Sequence, residues 1–277
     1  MNIVPLNGST SMLTLIVGPF KTGSTSVESL LVKMQAKLVR DGILLCNDFK
    51  GHFGKNPGEE GRKNAANLGA DLTDNQLTTH NVEVLRKCLS NKAFSEVVVA
   101  TETLSQLGPG PAVDWLLTAR PRIRAVVSKR NMADWLRSCY HQWGNRASNE
   151  AFKDWFHRVM DSKGVLVVPS AKTTTLTLDF SKINPFGVAW SYQNWGIPVV
   201  EYEFMNVEAL LCSILQSNSA CNDIRKGTTK VPTLNAGQHL HNKGQCLPPS
   251  DIKLVDEYFT KEGHVPEGQN WGAITCS

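Results

Sequence analysis

The stretch LTLIVGPFKTGSTSVESLL, residues 13–31, decides the fold class of this chain. Its first part, Leu13 to Val17, is a short apolar run that predicts a buried strand. A glycine-containing turn follows, and apolar residues then recur at helical spacing until Gly42, which is well placed to end a helix. The stretch therefore predicts a strand, a turn and a helix in succession, the helix being marked by Val27, Leu30, Leu31, Met34 and Leu38.

Apolar segments further along the chain extend this pattern. Val97 to Ala100 and Ile123 to Val127 are expected to be buried strands of a parallel sheet, and Pro198 to Val200 is expected to extend it. Strands that alternate with helices predict a layered α/β fold with right-handed crossovers. Helices are expected around Asn81–Leu89 and Ala112–Leu117, and after Asn131, Ala151, Met205 and Pro249.

Two polar stretches interrupt the pattern, Gly51 to Leu72 and Ser217 to Pro249. Both are rich in turn-forming residues, and we expect surface or binding loops there. No linker-like segment or composition break divides the chain, so residues 1–277 are interpreted as one domain.

Composition excludes several broad classes of protein. With 41% hydrophobic and 19% charged residues among 277, the chain can bury a core and is not disordered. The formal charge of +4 suits a small anionic ligand and is too weak to indicate nucleic-acid binding. Seven cysteines without a C-x-x-C pair argue against a disulfide scaffold or a zinc ribbon, and favour a reduced or mixed thiol state.

The N-terminal region does not resemble a membrane or export segment. The longest apolar run, Met12 to Phe20, is far shorter than the ~20 residues needed to span a bilayer. Met1 to Ser11 contains no Lys or Arg ahead of it, unlike a signal peptide. No targeting segment is expected, which makes the cytoplasm the default location.

The segment Gly18 to Ser26 is the most informative for function. Backbone amides at the start of a helix form a site for a phosphate-like anion, and a lysine and several hydroxyls here can add donors. Gly18 and Gly23 have the separation of the nucleoside-triphosphate loop, but Ser24 stands where that loop has its lysine. Ordinary ATP or GTP hydrolysis is therefore disfavoured, and a different nucleotide anion is indicated.

The run from Lys21 to Ser26 resembles the 5′-phosphosulfate loop of sulfotransferases that use 3′-phosphoadenylyl sulfate (PAPS), particularly the Golgi-type and bacterial carbohydrate enzymes. A second motif, Arg124 to Tyr140, resembles the 3′-phosphate motif of the same family. There Arg130 ends a strand and Ser138 follows eight residues later on a helix, although Met132 stands where the family often has proline. The first motif implies that the donor's sulfated end is bound by Lys21, Thr22, Gly23, Ser24, Thr25 and Ser26.

A third run, Arg225-Lys226-Gly227, resembles a further 3′-phosphate element of cytosolic sulfotransferases. It lacks the Gly-Asp-Trp continuation of that element, and a solvated basic turn is an equal alternative.

The resemblance implies a P-loop NTPase-like α/β fold with a three-layer arrangement, and an enzyme with PAPS as co-substrate. Such chemistry needs a bound donor, an acceptor held in line and stabilisation of the leaving phosphate oxygen, and none of these requires a metal ion. Lys21 is assigned to the leaving oxygen. Glu102, expected just after a sheet strand, is the first choice for the general base, or alternatively orients Lys21 or a hydroxyl. His52 is the second choice.

The acceptor is expected to be a hydroxyl, with a carbohydrate favoured by the resemblance and tyrosyl, lipid and small phenol or alcohol acceptors left open. Two other functions remain alternatives. One is a nucleotide-dependent kinase on a related fold, and the other is a module that binds the nucleotide without catalysis. Neither the oligomeric state nor the compartment follows from the sequence.

Overall fold

A computed structural model of the chain describes residues 12–18, 24–49, 64–119, 122–130, 132–141, 151–161, 165–168, 176–179, 184–204, 206–229 and 249–261. The strands in these ranges are β1 (Met12–Val17), β2 (Ile43–Leu45), β3 (Glu96–Ala100), β4 (Ile123–Lys129), β5 (Val165–Val168), β6 (Leu176–Asp179) and β7 (Val199–Glu203). The α-helices are α1 (Ser24–Arg40), α2 (Asn64–Thr73), α3 (His80–Ser90), α4 (Pro111–Ala119), α5 (Met132–Tyr140), α6 (Phe152–Asp161), α7 (Pro185–Asn194), α8 (Asn218–Arg225) and α9 (Pro249–Lys261). A short 3₁₀-helix covers Glu102–Gln106, and a π-helix covers Ala209–Ile214.

Five parallel strands form the central sheet, in the order β2-β3-β1-β4-β7. The first strand is thus in the middle, with β3 on one side and β4 on the other. β5 and β6 pair separately as an antiparallel hairpin, which the sequence reasoning did not anticipate.

Helices cover both faces of the sheet because successive side chains of each strand point to opposite faces. Leu13, Leu15 and Val17 of β1 belong to a core that includes residues of α2, α3, α4 and α7. Ile16 belongs to the opposite core, with residues of α1, α8 and the π-helix. The chain therefore has the three-layer, P-loop-like α/β architecture that the sequence predicts.

Local sequence signals account for several helix ends. Gly42, just past α1, has a φ of +77°, a conformation that glycine adopts readily, and its amide donates to the Val39 carbonyl at 3.1 Å. Asn184 caps α7, since its side-chain oxygen accepts hydrogen bonds from the amides of Phe186 and Gly187. The end of α1 lies just before Gly42, as predicted, whereas α7 was not predicted from the sequence.

Two predictions about loops are wrong in part. Within the predicted loop Gly51–Leu72, residues from Asn64 onward form α2, and Leu68 and Leu72 are fully buried. Their i, i+4 spacing is a helical signal that the polar composition around it concealed. Within Ser217–Pro249, α8 begins at Asn218. Its amides are satisfied by the Ser217 cap and by the Asp41 carboxylate, which accepts hydrogen bonds from Ser217 and Ser219.

Among the described residues, four cysteines form two disulfides, Cys46–Cys88 and Cys212–Cys221. The first joins the end of β2 to α3, and the second joins the π-helix to α8. Cys139 is buried and belongs to neither disulfide. The thiols are therefore mixed, and the alternative of a fully reduced set is wrong, because pairing depends on proximity in the fold and not on spacing along the chain.

A cluster of aromatic rings anchors α5 to two later helices. Tyr140 of α5 packs edge-on against Phe152 at a ring distance of 5.4 Å, and Phe156 of α6 meets Tyr258 of α9 at 5.7 Å. In the described part of the chain, no helix has the length and apolar character that crossing a bilayer requires.

Candidate functional site

The carboxyl ends of β3, β1 and β4 lie side by side where the strands of the sheet end, a region named the carboxyl edge. Ile16 of β1 faces Ala100, the last residue of β3, and Val17, the last residue of β1, faces Val127 of β4. β1 and β3 therefore end within one residue of each other, and β4 extends two residues further, to Lys129. Neighbouring strands are about 4.8 Å apart, which puts β3 and β4 about 10 Å from each other across β1. From β1 the chain continues to β2 and β3, which lie on one side of β1, and from β3 it crosses to β4 on the other side. Ligands in open α/β folds bind at such a reversal of strand order, beyond the carboxyl ends.

The segment after β1 leads into the N-terminus of α1. Gly18 is buried beside the strand end. Ser24, Thr25 and Ser26 form the first turn of α1, and the Ser26 side chain is buried. The first amides of a helix have no partner within the helix and favour an anion, so this edge of the sheet carries a candidate anion site. The remaining residues of the predicted phosphosulfate loop, Lys21, Thr22 and Gly23, lie outside the described residues.

Glu102 begins the 3₁₀-helix that follows β3, and its side chain is half-buried. Thr101 caps this helix, because its Oγ1 accepts a hydrogen bond from the Thr103 amide at 3.3 Å. The Ser105 hydroxyl donates to the Glu102 carbonyl at 2.6 Å. These bonds hold the backbone that carries the Glu102 carboxylate at the carboxyl edge of the sheet, where the sequence predicts it.

Gly69 of α2 packs directly on this 3₁₀-helix. The Thr103 hydroxyl donates to the Ala66 carbonyl at 3.2 Å, which ties the two elements together. A Cβ atom built on Gly69 would lie 2.9 Å from the Cβ of Thr103, closer than two carbons can pack. The sequence reasoning put Gly69 in a loop and therefore missed its role in holding the segment that bears Glu102.

Arg130 follows the last residue of β4, on the other side of β1. The neighbouring Lys129 forms an ion pair with Glu201 of β7 at 2.6 Å, which balances the charge of that lysine locally. The guanidinium carbon of Arg130 lies 4.6 Å from the ring centroid of Phe204. At this distance the guanidinium makes a cation–π contact with the ring.

Ser138, the second predicted 3′-phosphate contact, lies on α5 and is buried. It is six residues beyond Met132, where α5 begins, which corresponds to about 9 Å along the helix. The helix thus begins two residues after Arg130 without the proline that the family often has there.

The Arg225–Gly227 run ends α8 in a different part of the molecule. Asp223 of α8 pairs with Lys37, which lies about 20 Å along α1 from its N-terminus. Nε of Arg225 donates to Glu208 at 2.8 Å, and the whole run is exposed. This surface position agrees with the alternative of a solvated basic turn, and the cofactor role of the run stays a prediction.

Two cavities lie between α1 and the sheet just below the carboxyl edge, and Glu28 lines both of them. Gly18, Ser128 and Tyr202 line one of these cavities. Burial raises the pKa of the Tyr202 hydroxyl to about 12, so it is neutral at physiological pH. The sequence reasoning missed Glu28, although an acidic residue directly after Val27 in the apolar stripe of α1 was a visible signal.

His52, the second candidate for the base, lies outside the described residues. Across the described ranges, no group of three or more His, Cys, Asp or Glu side chains is arranged to hold a metal ion.

Comparison with models of protein families and with curated proteins finds no match for this chain. The fold and the site therefore define only the class of this protein. It is a P-loop-like α/β protein with a candidate anion site at the carboxyl edge of its sheet, and a carboxylate and an arginine flank that site.

Proposed function

We propose that this protein is a sulfotransferase that transfers a sulfuryl group from PAPS to a hydroxyl of a carbohydrate. The observation that carries the proposal is the adjacency of three strand ends. β1 leads toward α1, Glu102 follows β3, and Arg130 follows β4, so all three strands end on the same side of the sheet. The strands that lead to Glu102 and Arg130 are about 10 Å apart, with the β1 end that leads to α1 between them.

In this proposal the donor lies along the carboxyl edge with its two anionic ends apart. The amides at the start of α1, the hydroxyls of its first turn and Lys21 bind the 5′-phosphosulfate. Arg130 and Ser138 bind the 3′-phosphate. Arginine suits this role because its planar fork of donors matches two phosphate oxygens at once.

The reaction needs one nucleophilic displacement at sulfur. The acceptor oxygen forms a bond to sulfur while the bond from sulfur to the 5′-phosphate oxygen breaks, and the departing electron pair stays on that phosphate oxygen. Lys21 and the helix amides stabilise this developing charge. The acceptor proton passes to the Glu102 carboxylate, which is fixed on its 3₁₀-helix by the Thr101 cap.

The compartment proposed for this activity is an oxidising one and not the cytoplasm. Disulfides form and persist in secretory and extracellular environments, and are rare where glutathione keeps thiols reduced. Two are present in the described residues, Cys46–Cys88 and Cys212–Cys221. Mass spectrometry of the protein from its native source, alkylated before and after reduction, should find these four thiols protected, and labelling of all four without reduction would refute this part.

Calorimetry with adenosine 3′,5′-bisphosphate, the product of the donor, tests the proposal directly. The wild type should bind it, and Arg130→Ala should weaken binding tenfold or more, since a charge-assisted phosphate contact contributes about 1.5–3 kcal/mol. Arg122→Ala is the matched control, because Arg122 is exposed and precedes β4 at the opposite edge of the sheet. No binding to the wild type would overturn the proposal.

Turnover assays test the roles of the two reacting groups. Lys21→Ala should lower the rate of sulfuryl transfer by orders of magnitude, and Glu102→Gln should abolish most of it while the nucleotide still binds. Full activity of Glu102→Gln would remove Glu102 from the role of base. Magnesium-dependent ATP turnover would instead support the kinase alternative.

A further inference from the structure

Phe204 is an aromatic side chain at the same sheet edge to which no function has been assigned. Its ring is 37% exposed, and the Arg130 guanidinium carbon lies 4.6 Å from the ring centroid. We infer that Phe204 is a positioning residue, which fixes the Arg130 guanidinium for the 3′-phosphate of the donor nucleotide. The inference rests on the proposed function and deepens it.

The contact follows from the pairing of β4 with β7. Lys129 faces Glu203 in the ladder, and the amide of Phe204 donates to the Lys129 carbonyl at 2.7 Å. Phe204 and Arg130 are therefore the next residues of the two strands, one step beyond the last pair. The Lys129–Glu201 ion pair, at 2.6 Å, links the same two strands just below. The ring is thus held by the sheet backbone and not by a free loop.

An aromatic face beneath a guanidinium attracts its charge and restricts its rotation. A long arginine side chain loses much rotamer freedom when it binds a ligand, so an arginine that is already ordered loses less at that step. The guanidinium offers five N–H donors in a planar fork, which suits a phosphate bound at this end of the sheet. Phe204 therefore raises affinity only for ligands that carry the group bound by Arg130.

Calorimetry with two nucleotides separates this role from general stabilisation. Adenosine 3′,5′-bisphosphate has the 3′-phosphate, and adenosine 5′-monophosphate lacks it. Phe204→Leu should raise the Kd for the bisphosphate about fivefold or more and leave the Kd for the monophosphate unchanged. Phe204→Tyr, which keeps the ring, should restore wild-type affinity. The double variant Phe204→Leu with Arg130→Ala should bind no more weakly than Arg130→Ala alone.

Trp190→Leu is the control, because Trp190 is another exposed aromatic residue, 66% accessible, on α7 against the other sheet face. It should change neither Kd. An unchanged ratio of the two Kd values in Phe204→Leu would overturn the inference while the proposed function stands. This includes an equal increase of both Kd values, because Phe204 would then act on the adenosine that the two nucleotides share. A wild type that binds no bisphosphate would instead refute the proposed function, and the inference with it.

Discussion

Replacing Gly69 with alanine tests whether α2 and the 3₁₀-helix that bears Glu102 pack as closely as the structure shows. The new Cβ would lie 2.9 Å from the Thr103 Cβ and 3.3 Å from the Leu104 amide nitrogen. Carbon atoms pack at about 3.5–4.0 Å, so one element has to move by roughly 0.6–1 Å. Backbone and a β-carbon stand in the way, and neither can rotate aside.

Two effects of opposite sign decide the result. Overpacking of a close contact costs about 1–3 kcal/mol, whereas alanine is favoured over glycine inside a helix by about 1 kcal/mol. Because the contacts are with a β-carbon and a backbone nitrogen, the overpacking cost should lie in the upper part of its range, about 2–3 kcal/mol, and the free energy of unfolding should fall by about 1–2 kcal/mol. For a chain of 277 residues, this corresponds to a decrease in Tm of about 2–4 °C.

Thermal unfolding of the wild type, Gly69→Ala and Gly108→Ala provides the assay. Gly108 is the matched control, because nothing lies within 4 Å of a Cβ built there. Gly108→Ala should leave Tm unchanged or raise it slightly. In the double variant Gly69→Ala with Thr103→Ala, the loss should be smaller than the sum of the single losses, because the Thr103 hydroxyl oxygen, the atom nearest to the new Cβ, is removed while the contacts with the Thr103 Cβ and the Leu104 nitrogen remain. A Tm of Gly69→Ala at or above that of the wild type would refute the packing argument.

Three further predictions concern stability. Arg124→Met should cost about 3–5 kcal/mol in urea unfolding, because the buried Glu96 carboxylate loses the opposite charge at 2.7 Å and keeps, among the described residues, only the hydrogen bond from the Thr14 hydroxyl. The double variant that also carries Glu96→Met should be more stable than Arg124→Met, and a less stable double variant would contradict this. Burial by itself would raise the pKa of Asp41, but hydrogen bonds from Ser217 and Ser219 hold this pKa below its ordinary value. Between the native and unfolded pKa values, the unfolded state therefore binds more protons than the native state. The stabilisation is complete above the unfolded pKa of about 3.9 and is lost as the pH falls through the native pKa. Asp41→Asn should therefore lower Tm at pH 7 and converge with the wild type in acid, and a Tm difference that is constant with pH would contradict it. Replacing Cys46 and Cys88 by alanine opens a loop with a sequence separation of 42 and should lower the free energy of unfolding by about 4 kcal/mol. Replacing Cys212 and Cys221, which are separated by 9, should lower it by about 2.5 kcal/mol. Equal losses in denaturant unfolding would contradict the loop-entropy account.

Most strands of the central sheet and most of its helices were predicted from the sequence. The strands β1, β3 and β4 lie where apolar runs predict them, because strands buried on both faces need near-continuous apolar sequence. The edge strand β7, in which only Tyr202 is buried, was predicted from its first residues, Val199 and Val200. The three-residue β2 was not anticipated, since Ile43–Leu45 is too short to show a period. In α2, polar neighbours concealed the buried Leu68 and Leu72.

Of the candidate site, the sequence supplied the residues that can be recognised by type and spacing. Lys21, Arg130 and Ser138 come from motifs, and Glu102 comes from its position after an apolar run. Phe204 and Gly69 could not be found in this way. Each acts through a partner that is distant along the chain, Phe204 on Arg130 and Gly69 on Thr103.

The sequence by itself determined the alternation of strands and helices, because burial periodicity is local and each element carries its own pattern. Only the tertiary structure decided the strand order, which sets β1 between β3 and β4 and brings the end of β1, Glu102 and Arg130 to one side of the sheet. It also decided which cysteines pair. Both depend on contacts between segments tens of residues apart, and such contacts leave no periodic trace in the chain itself.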